Sequence, residues 1–172
     1  MAEAIFIKEN HPYPNNFLPV LYYPSAIKKL TDSPEAAQEV QSLLEENGYL
    51  NSWIDGIFSY HHFHSNTHEV LACLAGEAEV QLGGPDAEVY IFKKGDILLL
   101  PAGTAHKRID ATEDFKIIGA YPNGIEPDLQ KGNLEEYSQI KKSIAEVTLP
   151  EMDPVGKKEG ATFEHWKSKR AE

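Results

Sequence analysis

Apolar positions along the chain fall into two rhythms. Between Trp53 and Tyr121 they come in short runs rich in β-branched and aromatic residues and broken by glycine or proline, most clearly AEVQL, EVYIFK, DILLLP and FKIIGAY. Such runs predict strands, and many of them at regular spacing predict an antiparallel sandwich or barrel. GGPD at 83–86 reads as a hairpin turn. Over 34–47 the spacing of Ala36, Val40, Leu43 and Leu44 is helical, with Ser33 as cap, Pro34 at the first helical position and Asn47 and Gly48 as the stop. A second helix is predicted over 134–145, capped by Asn133, with Leu134, Tyr137, Ile140 and Ile144 on one face. Before all of these, AIFIK and FLPVLYY read as two extended segments joined by the irregular ENHPYPNN. Pro12, Pro14 and Pro19 each remove a ladder donor, so both segments are expected at sheet edges. The stretch after Pro150 reads as loop, anchored by Phe163 and Trp166.

Composition narrows the function classes. A chain of 172 residues, 41% hydrophobic and 25% charged, suits one globular domain. No run approaches the roughly 18 apolar residues of a membrane helix. The N-terminus lacks the pattern of a secretory signal, so the cytoplasm is the expected compartment. A net charge of −11 repels phosphate backbones, and the one dense basic cluster, KSKR at 167–170, reads as a solvated terminus. Neither nucleic acid nor membrane is an expected partner. Cys73 is the only cysteine, which excludes an internal disulfide and leaves any metal site to nitrogen and oxygen ligands.

Four of the seven histidines stand in GIFSYHHFHSNTHEVLACLAG, residues 56–76. In a strand, Phe58, Tyr60, His62 and His64 would share one face, with His61 and Phe63 on the other. Two imidazoles two residues apart on one face can grip one ion, and Glu69 follows as a hard oxygen donor. His106 is delivered by the turn around Pro101 and Gly103. The competing reading of the bare pair is two polar side chains on the wet face of an antiparallel sheet. His61 and His68 fall on the opposite parity and are expected to be structural or solvent-facing, while His11 and His165 lie in loop-like ends.

These residues carry a resemblance to the cupin family. Gly56, His62, His64, Glu69 and Gly76 stand at every defining position of the first cupin motif; Gly95, Pro101, Gly103 and His106 match the second, with Asp110 where the family usually has asparagine. NGYLNSWIDGIFSYHHFHSNTHEVL, GAYPNG and LPEMDPVGKKEG further resemble the uncharacterised YjlB-like group of single-domain cupins. The resemblance implies a mainly β fold: a single cupin β-barrel or jelly roll over residues 1–172, motifs at 56–76 and 95–110, with flanking N-terminal strands and about two helices. It also implies one divalent metal held by His62, His64, Glu69 and His106.

Three neutral nitrogens and a carboxylate suit iron, manganese, nickel, zinc or copper, and in an octahedral site leave two positions open for chemistry. Tyr60 and Arg108 fall on the ligand parity and are candidate catalytic residues: a hydroxyl one step before His62, and a guanidinium suited to a carboxylate or phosphate. Their alternatives are barrel filling and a rim salt bridge. Phe58, Leu71, Ile97 and Leu99 are expected to fill the barrel, Cys73 to pack inertly, Asp96 to serve a turn, and Trp53 to be a lid or packing residue. The expected function is a metal-dependent enzyme, oxygenase-like or isomerase- or lyase-like, acting on a small polar metabolite. The alternative is a module that binds a small molecule without reaction. Edge-like N-terminal strands need a partner or a cover, which leads to the expectation of a homodimer.

Overall fold

Strict alternation in Glu77–Leu82 puts Glu77 and Glu79 in water and Ala78, Val80 and Leu82 in the interior, as a half-buried pleat requires. The computed structural model describes residues 1–166; KSKR lies outside the described residues. Within them the chain runs β1 (Glu3–Ile5), β2 (Val20–Tyr23), α1 (Lys28–Thr31), α2 (Ala36–Glu46), β3 (Tyr49–Asp55), β4 (Glu69–Ala75), β5 (Glu77–Leu82), β6 (Val89–Lys93), β7 (Ile97–Leu100), β8 (His106–Ala111), β9 (Lys116–Pro122), α3 (Tyr137–Glu146) and α4 (Ala161–His165). The fold is mainly β, in two antiparallel sheets ordered β1-β2-β7-β4-β9-β3 and β6-β5-β8. No helix among the described residues is long and apolar enough to cross a membrane.

The sheets close face to face over Leu71, Cys73, Leu98, Leu100 and Ile117 from the larger and Ala78, Val80, Leu82 and Phe92 from the smaller. The larger sheet is also covered behind: Val70, Ala72, Ile97, Leu99, Ile118 and Ala120 pack with Val40 and Leu44 of α2, Tyr49 and Trp166. Burial on both faces explains why EVLACLA and ILLL read as nearly continuous apolar runs. It also corrects the interior list, since Ile97 and Leu99 face the helical layer and Leu98 and Leu100 fill the barrel. Cys73 packs inside as expected, with its thiol near the carbonyl of Ala75 at 3.4 Å.

Other expectations shift for identifiable reasons. β1 is an edge, but β2 lies between β1 and β7. Pro19 precedes the ladder, and its carbonyl accepts the buried Trp166 indole N–H at 2.9 Å, so the proline removes no sheet bond. The first long helix begins at Ala36, because Ser33 Oγ is spent on a local turn to the N–H of Glu35 at 3.2 Å. α3 begins at Tyr137, since Asn133 Oδ1 accepts from Glu135 and Glu136; Leu134 is therefore left 65% exposed ahead of the helix. Past residue 150 the chain is tied rather than loose. Buried Asp153 accepts hydrogen bonds from the Tyr23 hydroxyl and from the N–H groups of Val155, Gly156 and Thr162. Asp96 serves its turn fully buried, accepting from the Tyr22 hydroxyl and the N–H of Ser25 and Lys93.

Candidate metal centre

Residues 56–68 are an extended connector, not the regular strand their alternation predicts, because they pair in no continuous ladder: two isolated bridges, His62 with His106 and Phe63 with Gln130, and single main-chain bonds hold them. The first bridge exchanges two main-chain hydrogen bonds, 2.9 and 3.2 Å, and so sets two imidazoles side by side with centroids 4.0 Å apart. Phe58, expected inside the barrel, is 51% exposed on this connector. Glu69 opens β4 on the face of Leu71 and Cys73, which aims its carboxylate into the barrel. His106 starts β8 opposite buried Leu82. The turn before His106 requires Gly103, whose φ of +89° is left-handed and where a Cβ would lie 2.6 Å from Ile144 and 2.7 Å from the Asn15 carbonyl. Its N–H also bonds the His64 carbonyl at 2.8 Å, joining the two halves of the site.

The imidazoles are oriented by one rule. Nδ1 of His62 lies 3.0 Å from the Tyr60 carbonyl, that of His64 2.5 Å from the Asp128 carbonyl, and that of His106 3.0 Å from the Thr104 carbonyl. A carbonyl only accepts, so each Nδ1 carries a proton, and Nε2 is the remaining ring position, a donor when the imidazole is charged and a lone pair when it is neutral. Nε2 of His64 and His106 stand 3.5 and 3.4 Å from Glu69 Oε1, and ligand atoms of these three residues lie within 4.8 Å of one another. His62 flanks that trio against His106 without entering it.

Burial would raise the Glu69 carboxyl, but hydrogen bonds and charge from His106 and His64 outweigh it and hold the group well below the usual carboxylate range. For His64, burial is overcome by the Glu69 carboxylate and the Asp128 carbonyl, and its basicity rises. His62 gains less from Glu69, so desolvation and the neighbouring His106 push it down to about 3. An ionised carboxylate thus stands among imidazoles oriented by hydrogen bonds behind them, an arrangement a metal would enter by displacing the proton that His64 shares with Glu69. Ionised and only 3% exposed, Glu69 needs a compensating positive charge, which the His64 imidazolium supplies and a bound cation would supply in its place.

Above His64 and Glu69 opens a cavity of about 410 Å³, walled by Trp53, Ile54, Phe58, Tyr121, Pro127 and Leu129, with Asp55 and Asp128 among its polar edges. Tyr121 and Asp128 are site residues that sequence reasoning missed. Tyr121 sits one register step beyond the Val70–Ala120 pair, opposite Glu69, and its ring meets His64 edge-on at 6.2 Å. The Trp53 indole donates to its hydroxyl at 2.7 Å. With that acceptor site used, the phenol's own proton is free for the neighbouring Glu69, and burial together with that carboxylate raises the phenol's basicity. Trp53 fits because residue 119 is glycine; a Cβ there would stand 2.3 Å from Trp53 Cζ2. Asp128 accepts from Ser65 N–H at 2.7 Å, Ser65 Oγ at 2.5 Å and Gln130 Nε2 at 3.0 Å, which fixes the loop whose carbonyl orients His64.

Neither Tyr60 nor Arg108 lines this cavity. Tyr60 stacks on Phe58 at 4.9 Å beside His62, with the Lys131 ammonium 4.7 Å over its ring. Arg108 is half-buried opposite Val80, makes no ion pair among the described residues, and donates its main-chain N–H to the Phe58 carbonyl at 2.9 Å. Buried His68 is structural, its Nδ1 accepting the Ala102 N–H at 2.9 Å, and His61 lies against Tyr13.

A family model described as Cupin domain matches residues 55–118. The uncharacterised protein YjlB of Bacillus subtilis (strain 168) is 38% identical over 166 residues, 96% of either chain. Among solved structures, QdtA 3,4-ketoisomerase from Thermoanaerobacterium thermosaccharolyticum in complex with TDP is 22% identical with a TM-score of 0.43, over 55% of this chain and 74% of that one. Acireductone dioxygenase from Bacillus anthracis, with a cadmium ion in its active centre, is 15% identical with a TM-score of 0.39, over 63% and 82%.

Proposed function

Since this chain belongs to the cupin superfamily, in the family of YjlB, we propose that residues 1–172 form one cupin domain whose barrel holds a divalent transition metal and transforms a small molecule in the cavity above it. The carrying observation is that His64, Glu69 and His106 converge, with both Nε2 atoms aimed at Glu69 by the carbonyls that hold Nδ1 behind them. His62, with the same orientation and a ring against His106, completes the set as fourth ligand. Iron, manganese, nickel, zinc and copper all suit such donors. The bound ion supplies Lewis acidity or, if it is iron, a place for dioxygen, which separates isomerase- or lyase-like from oxygenase-like chemistry.

The chain's own residues do the rest. Glu69 and the imidazoles would hold the ion beside the cavity, Tyr121 offers a hydroxyl to it, and Trp53 and Phe58 supply apolar wall. Tyr60 and Arg108 support the His62 side of the site in this reading. One observation favours a binding module without turnover: the proton of the Tyr121 hydroxyl on the cavity wall is directed at the Glu69 carboxylate, which leaves it unavailable to a substrate.

Elemental analysis of gently purified protein tests the proposal. Near-stoichiometric transition metal is expected, and Glu69→Gln should lose most of it while keeping its circular dichroism. A protein that refuses every ion offered, or a folded Glu69→Gln with unchanged metal content, overturns it.

A further inference from the structure

The cavity over the metal ligands is lined unevenly. Three of the large apolar side chains that the protein leaves exposed, Ile54 (48%), Phe58 (51%) and Leu129 (47%), gather at this one mouth. Trp53 and Pro127 continue the apolar wall inward. Apolar groups clustered at the rim of a concave site mark what is bound there. The charged groups on the lining are all carboxylates, Glu69, Asp55 and Asp128, with neither lysine nor arginine among them. Lys131 is held over the Tyr60 ring and Arg108 stands on β8, both off the lining.

A phosphate or carboxylate on the body of a ligand would thus meet the Asp55 carboxylate, the negative charge of Asp128 held close by on Ser65 and Gln130, and an apolar wall with no lysine or arginine on it. An uncharged or cationic body would find contact area, aromatic faces and favourable potential. Resting on the metal-centre reading above, we infer that the substrate is an oxygen chelator whose body is apolar and carries no negative charge away from the metal: a neutral or amine-bearing aromatic or branched alcohol, enol or ketone, and neither a sugar phosphate nor a dicarboxylate. This narrows the small polar metabolite expected from sequence.

Three probes that share one metal-binding group isolate the remote charge: neutral ethylcatechol, cationic dopamine and anionic dihydroxyphenylacetate. They are titrated calorimetrically into zinc-loaded full-length protein whose zinc content is measured in the same sample. Ethylcatechol and dopamine should bind about tenfold more tightly than dihydroxyphenylacetate, with a gap that shrinks at high salt, and Asp55→Asn should narrow it for the acid. Equal or tighter binding of the acid by zinc-loaded protein overturns this inference and leaves the metal centre standing. Failure to take up zinc or any other ion overturns the metal centre, and the inference with it. If Leu129→Ser halves the solution mass while all three affinities stay unchanged, the apolar rim belongs to a second copy of the chain and the inference falls.

Discussion

Replacing Tyr121 by phenylalanine removes one oxygen and leaves the ring that meets His64. The lost atom makes two connections, accepting the Trp53 indole N–H at 2.7 Å and facing the buried Glu69 carboxylate. A hydrogen bond from a neutral donor to a buried charge contributes about 1.5–3 kcal/mol, and the half-buried indole N–H, left without its acceptor, costs about 1 kcal/mol more. Part of this is returned in the metal-free protein, where Glu69 keeps His64 and His106 as partners. The net loss of folding stability without metal should therefore be about 1–2 kcal/mol. With metal, the chief effect is on a ligand whose orientation is no longer held from behind, for which affinity losses of about 10–100-fold are usual. Urea unfolding of the metal-free protein measures the first quantity, and chelator competition against zinc the second. Trp53→Phe, which removes the indole donor but not the phenol, should lower zinc affinity less than Tyr121→Phe. A Tyr121→Phe protein with wild-type zinc affinity would refute the claim that Tyr121 positions Glu69.

Other contacts in the fold have consequences of the same kind. Gly119→Ala drives a methyl group against the Trp53 ring at 2.3 Å and should cost about 1–3 kcal/mol in thermal unfolding while changing the emission of Trp53; unchanged emission counts against the indole's place in the cavity wall. Asp153→Ala strands the Tyr23 hydroxyl and three N–H groups and should cost about 3 kcal/mol or more by urea unfolding, so a loss below about 1 kcal/mol argues that the C-terminal segment is not clasped there. Metal-free protein should weaken as pH falls from 6.5 towards 3, because His62 stays neutral in the fold down to about 3 while the unfolded chain takes up its proton at the ordinary 6.5. The slope approaches about 1.4 kcal/mol per pH unit from this group. His64, raised by Glu69, acts oppositely, but its contribution is complete below 6.5 and is lost only as pH rises above that. Glu69 and Asp128, both depressed, add their losses below about 4. Urea midpoints across pH check this, and a His62→Gln protein with the same slope between pH 6.5 and 4.5 would refute the assignment.

What the sequence disclosed was set by the distance between cooperating residues. His64, Glu69 and His106 were legible because a motif fixes their spacing in two short segments. Tyr121 and Asp128 were not, since each joins the site through contacts with residues more than fifty positions away, and GIEPDLQ has neither period nor cap to mark it. Parity reasoning succeeded on β5, which has one wet face, and failed on β7, whose two faces are both dry and offer no contrast between Leu98 and Leu99. Around His62 it reached a useful result through a wrong premise, since the connector is no strand and the bridge to His106 does the placing.

The segment from Glu126 to Gln130 does two jobs with neighbouring atoms: Pro127 and Leu129 wall the cavity, while the Asp128 carbonyl between them sets the His64 ring. Under the proposed function, selectivity and metal retention are therefore not separately adjustable on this scaffold. A change in that loop that reshapes the wall also turns the His64 ring, so substitutions there should show strong epistasis with His64 and Ser65, and variants recruited to a new compound should arrive with an altered appetite for the proposed metal.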